Sequence, residues 1–98
     1  MCIELSRFVE DDLDAIAAYI AEDNPVRAVS FIREIRSKFR LIGQRPSAYR
    51  LRPEIASDAR MALAGRYAIL FRIRGRSVRI ERVLYAGRNL SRLFPKQS

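Results

Sequence analysis

Histidine and tryptophan are absent from this chain of 98 residues, and cysteine occurs once, as Cys2. Without histidine and with a single thiol, the sequence lacks the ligand sets that zinc and redox metals usually require. No metal and no cofactor is expected. A lone cysteine cannot close an intramolecular disulfide, and nothing beside Cys2 in the sequence would activate it, which fits a reducing compartment. Long apolar runs are missing too. No stretch approaches the ~18 consecutive apolar residues of a membrane span, and MCIELSRFVEDD opens acidic where a secretory leader would be basic. The expectation is a cytoplasmic protein without a membrane partner.

What is present points to a folded domain. Hydrophobic residues make up 49% of the chain and alternate with charges at 31%, a mixture too apolar for disorder. The length suits one domain over residues 1–98. Charge is unevenly placed. Residues 1–24 carry seven acids (Glu4, Glu10, Asp11, Asp12, Asp14, Glu22, Asp23) against Arg7, a net −6, whereas residues 25–98 carry +14, so the whole chain stands at +8. Such a surface attracts polyanions, whether nucleic acid or an acidic protein. Lys38 and Lys96 are the only lysines among nineteen basic residues. Arginine, with its planar fork, suits bidentate pairing to carboxylate or phosphate and tolerates partial burial.

Periodicity gives the elements. Ile3 and Leu5 alternate with polar neighbours as in a short strand, after which Ser6 is placed to cap a helix. Val9, Leu13, Ile16 and Ile20 then form one stripe, predicting a helix over 7–22 whose first turns hold Glu10, Asp11 and Asp12 as a solvated cluster that matches the macrodipole. Asn24 and Pro25 read as N-cap and first residue of a second helix over 25–44, with the stripe Val29, Ile32, Ile35, Phe39 and Ile42 and an end marked by Gly43 and Pro46. Two helices joined this tightly lie antiparallel. Arg33, Arg36 and Arg40 read as a solvated face.

Gln44 to Ser57, broken by Pro46 and Pro53, predicts a loop. A three-strand meander follows, with turns at Gly65-Arg66 and Gly75-Arg76. Ala59, Met61 and Leu63 alternate with Arg60 and Ala62 in its first strand. Tyr67, Ile69, Phe71 and Ile73 share one face of the second, and Val78, Ile80 and Leu84 one face of the third. The opposite face, with Arg72, Arg74, Arg79 and either Glu81 or Arg82, predicts a charged surface open to a partner. A short basic tail runs from Gly87 to Phe94. The expected fold class is α+β: an N-terminal strand, an antiparallel helical hairpin packed on an antiparallel sheet, and that tail.

Three segments in this order resemble the RelE/ParE toxin superfamily. DDLDAIAAYIAEDNPVRAVSFIREI (Asp11 to Ile35) is similar to the family's helical hairpin, and RMALAGRYAILFRI (Arg60 to Ile73) to its turn into an apolar strand. VRIERVLYAGRNL (Val78 to Leu90) resembles the closing strand of ParE proteins, usually written R-I-x-R-V-L-H-G-R-R-D-L. Here Tyr85 stands where histidine is usual, and Ala86, Gly87 and Asn89 replace Gly, Arg and Asp. The resemblance implies a toxin of a type II toxin–antitoxin system silenced by a cognate antitoxin. ParE-type members inhibit DNA gyrase without being nucleases; RelE-type members are ribosome-dependent mRNA endonucleases. A third possibility is a degenerate member kept as a DNA-binding co-repressor.

The residues bear on that split. Cleaving RNA by attack of the 2′-oxygen needs groups that move protons and stabilise a pentavalent phosphate. Arg88 aligns with the arginine of the RelE tail motif, but Phe94 stands where those enzymes carry a tyrosine, and Lys38 and Lys96 fall outside the segments that would line the cleft. Arginine stabilises phosphate charge yet is a poor proton donor or acceptor near neutrality. No catalytic residue is assigned; Tyr67 and Tyr85 are the remaining candidates. The ParE branch is therefore the expectation, with a ParD-like antitoxin, gyrase as target, and nucleic acid met only through the antitoxin or a gyrase–DNA complex. Candidate target contacts are Arg66, Arg79, Arg82, Arg88 and Arg92 near one sheet edge, and candidate antitoxin contacts are Tyr19 and Phe31 as exposed apolar groups.

Overall fold

The computed structural model describes residues 1–95; Lys96 lies outside them. Cys2–Leu5 form strand β1, Val9–Ala21 helix α1, Pro25–Gln44 helix α2, Arg60–Ala64 β2, Tyr67–Arg74 β3, Ser77–Tyr85 β4 and Leu90–Leu93 a short helix α3. A single 3-10 turn at Pro46–Ala48 follows α2. The strands make one sheet in the order β1-β4-β3-β2. The meander β2-β3-β4 is antiparallel as expected, and β1 joins it parallel to β4, which makes the sheet mixed.

The helix boundaries follow local chemistry. The Asn24 side chain accepts the Arg27 N–H at 3.0 Å and Pro25 occupies the first turn, so α2 begins where its capping residues place it. At α1 the expectation shifts by two residues. Phe8 takes the N-cap position, while Ser6 is buried and used as a stitch: its hydroxyl donates to the Glu81 carbonyl at 2.6 Å and accepts the Phe8 N–H at 3.2 Å. Gly43 lies inside α2 and does not terminate it. A Cβ there would stand 2.7 Å from the Ile3 side chain, so the glycine lets β1 approach the helix.

The main core lies between the hairpin and one sheet face, where Leu13, Ile16, Phe31, Ile35, Phe39 and Ile42 meet Ile69, Phe71, Val78, Ile80 and Val83. The α2 stripe differs from the expected one at its start. Val29 is 55% exposed, and Ala28 and Phe31 are buried in its place. Both registers suit a 3.6-residue period, and the one that buries the larger aromatic side chain gains more. In β2 it is Ala62 that enters this core, while Leu63 is exposed and Met61 packs on the other face.

A bulge in β4 sets which of its residues face the helices. Arg82 pairs with Leu70 and Ile80 with Phe71, leaving Glu81 as an extra residue. One inserted residue inverts the alternation. Val78, Ile80 and Val83 consequently join the helix side, and Leu84 turns to the far face, contrary to the expectation that it shares a face with Val78 and Ile80.

Candidate functional site

The end of α1, the start of α2, the β2-β3 turn and the end of β4 enclose an open groove of about 620 Å³, lined by Tyr19, Ile20, Phe31, Arg66, Tyr67 and Tyr85 with Arg27 at its rim. Tyr67 is its centre: its ring lies 5.7 Å from Phe31 and, edge-on, 6.1 Å from Tyr85. Burial pushes the Tyr67 phenol above its ordinary pKa, and Tyr19 and Tyr85 add to the shift. Its proton is therefore held at neutral pH. Tyr19 is 69% exposed and presents its ring to solvent. A smaller notch of about 170 Å³ continues between α1 and β4, with Arg88 on its edge. At Gly87 a Cβ would meet the Tyr85 ring at 2.5 Å, so this glycine lets Tyr85 lie back over the turn that carries Arg88.

Cations around this groove differ in freedom. Arg27 is engaged by Glu34 through two bonds of 2.9 and 3.3 Å, which raises its pKa further. Arg66 and Arg88 are exposed and make no ion pair among the described residues. The groove thus combines aromatic surface with uncommitted positive charge.

The far face of the sheet is not the open charged surface expected. Arg72 is 2% exposed, with its Nε 3.1 Å from a Glu81 carboxylate oxygen and Asp58 3.5 Å from Nη1; Arg79 approaches Glu81 from the other side at 3.3 Å. Above this cluster the tail folds back, and Leu90 and Phe94 pack on Ala59, Ala68, Leu70 and Leu84. A wide cleft of about 1160 Å³ remains beside the tail, bounded by Arg7, Phe8, Asp58, Arg82 and Arg92.

Asp12 also departs from the expectation of a solvated helix start. β1 pairs with β4 only as far as Ile80, so beyond that point β4 has a free edge. Asp12 fills it. Its carboxylate accepts the Val83 N–H at 3.0 Å and two bonds from Arg82 at 2.7 and 2.8 Å. These bonds raise the Arg82 pKa above its already high ordinary value.

The five arginines singled out from the sequence are consequently not brought together at one edge. Arg66 belongs to the tyrosine groove, Arg88 to the notch beside it, Arg92 to the far cleft, Arg82 is bound to Asp12, and Arg79 is tied to Glu81. The bulge and the folded-back tail separate them. Tyr19 is exposed as expected, but Phe31 is 5% exposed and forms the groove's floor under Tyr67. Asp12, Glu81 and Arg72 were missed as structural ion pairs, because in sequence each looks like an ordinary strand or helix surface residue. The one available signal was Glu81 in an apolar strand, where a buried carboxylate needs an arginine partner.

Among the described residues no helix is long and apolar enough to cross a membrane, and no three His, Cys, Asp or Glu side chains converge as a metal site. Residues 3–90 match the family model of the ParE toxin of the type II toxin-antitoxin system, parDE. No curated protein matches the chain significantly. Among solved structures, one described as a chromosomal ParDE TA system from P. aeruginosa superposes with a TM-score of 0.75 at 23% identity, covering 87% of this chain and 95% of that one. At that identity the likeness speaks for the fold.

Proposed function

Because the chain belongs to the ParE toxin family, the toxin of the type II toxin–antitoxin system parDE, we propose that it acts by binding, inhibiting DNA gyrase until a ParD-like antitoxin neutralises it. The observation that carries this reading is the position of Phe94. Where the RelE-type resemblance implies a catalytic tyrosine, this chain has a ring without a hydroxyl, 5% exposed and packed on the far face. The tyrosine groove offers no general base at Tyr67 or among its cations. Tyr67 keeps its proton, and the cations beside it are arginines, which neither give nor take protons near neutrality.

The groove suits the antitoxin. Tyr19, Ile20 and Tyr67 supply apolar anchors, and Arg66 supplies positive charge for an acidic segment that orders as it binds. In this reading Arg66 serves the antitoxin, and Arg88 and Arg92 on the tail side serve the target. Adding the purified protein separately to a gyrase supercoiling reaction and to ribosomes stalled on a defined mRNA tests it. Blocked supercoiling with intact message is expected. Site-specific cleavage of the message with supercoiling untouched would overturn the gyrase reading in favour of an endonuclease.

A further inference from the structure

The tail is seated by two arginines that reach it from beneath. Arg72 Nη2 donates to the Pro95 carbonyl at 2.7 Å and Arg82 Nη1 to the Leu93 carbonyl at 3.3 Å, so backbone acceptors two residues apart are each met by a sheet arginine. The Arg72 guanidinium also lies 4.4 Å from the centre of the Phe94 ring. Each arginine is backed by a carboxylate: Glu81 and Asp58 stand behind Arg72, and Asp12 behind Arg82.

The geometry of Arg72 shows which partner it favours. Its Nε is 3.1 Å from Glu81 yet makes no aligned hydrogen bond, although it is buried. Its Nη2, by contrast, makes a short bond to the tail. An arginine serving only to neutralise Glu81 would align its fork on the carboxylate. This one is turned toward Phe94 and Pro95. The apolar contacts of Leu90 and Phe94 hold the segment down, while the two charge-assisted bonds fix its position along the sheet.

We propose that Arg72 and Arg82 are positioning residues that clamp the Leu90–Pro95 segment, and that this clamp sets where Arg92 is presented to the target. The second half rests on the gyrase reading above; the first does not. Removing Arg72 alone would strand Glu81 in the interior and could unfold the sheet. The test therefore uses the full chain with the paired change Arg72→Met with Glu81→Met, and separately Phe94→Leu and Phe94→Trp. Leucine keeps the burial and removes the ring; tryptophan keeps a ring for the guanidinium.

Trypsin cleavage after Arg92 reads the seating, and supercoiling inhibition reads the consequence. Cleavage is expected to accelerate about tenfold in the paired variant and in Phe94→Leu, as local opening becomes easier, but not in Phe94→Trp. Inhibitory potency should fall in parallel by about tenfold, equivalent to 1.4 kcal/mol. Wild-type cleavage rates in the paired variant would overturn the clamp. Faster cleavage with unchanged potency would overturn its role in target presentation. A wild-type protein that never inhibits gyrase, with cleavage responding as described, would sink the gyrase reading and leave the clamp supported.

Discussion

On the helix side of the sheet, Ile69, Phe71, Val78, Ile80 and Val83 meet α1 and α2 through hydrocarbon, whereas on the far side Ala68, Leu70 and Leu84 share the space with a buried arginine, Arg72, a half-buried one, Arg82, and a buried glutamate. The first face is closed by two long helices. The second is closed by six residues of tail and a loop, whose apolar contacts Arg72 and Arg82 supplement with directed bonds to the Pro95 and Leu93 carbonyls. A face sealed by area tolerates small shifts; a face sealed by a few directed bonds depends on each one. That contrast places the adjustable surface of the molecule on the tail side.

The comparison breaks most visibly at Asp12. Asp12→Ala leaves Arg82 without its carboxylate and Val83 with an unmet N–H, and should cost about 3–5 kcal/mol in urea denaturation. A loss under about 1 kcal/mol would mean the pair is solvated after all. Ile35→Ala on the hydrocarbon face should cost about 2–5 kcal/mol, the usual range for large-to-small core changes. A loss below about half a kcal/mol would remove α2 from the core.

This contrast also explains what was legible in advance. The helix side could be read because burial imposes a period: Leu13, Ile16, Ile35, Phe39, Ile69 and Phe71 recur at helix and strand spacings and are core. Leu84 was misplaced because a bulge leaves no mark in the alternation of VRIERVLY, and Phe31 because the α2 stripe fits two registers. The far side was hidden for another reason. Asp12 and Arg82 are seventy residues apart, and a carboxylate in a helix's first turn has an adequate local explanation that conceals its distant partner. The candidate site shared that fate: the basic residues were visible, but their separation into a groove, a cleft and two ion pairs depends on how the tail folds.

A smaller effect tests the exposed pairs. Glu10 is held below its ordinary pKa chiefly by its hydrogen bonds from Arg36. A depressed carboxylate pKa contributes stability above the unfolded value and loses it as pH falls through the folded one. Glu10→Gln should therefore cost no more than about 0.5 kcal/mol at neutral pH, and nothing in strong acid or high salt. A cost that persists in acid would point to packing instead of charge.

The division of labour between groove and tail is tested most directly by measuring two variants in two assays, antitoxin affinity and inhibition of gyrase supercoiling. Tyr19→Ala should weaken antitoxin binding by about tenfold and leave inhibition within about threefold of wild type, as expected for an exposed aromatic anchor. Arg88→Ala with Arg92→Ala should do the reverse, losing inhibition by at least about tenfold while antitoxin affinity stays within about threefold. If both variants weaken the same assay, or the arginine pair leaves inhibition intact, groove and tail are not separate surfaces and the account is wrong.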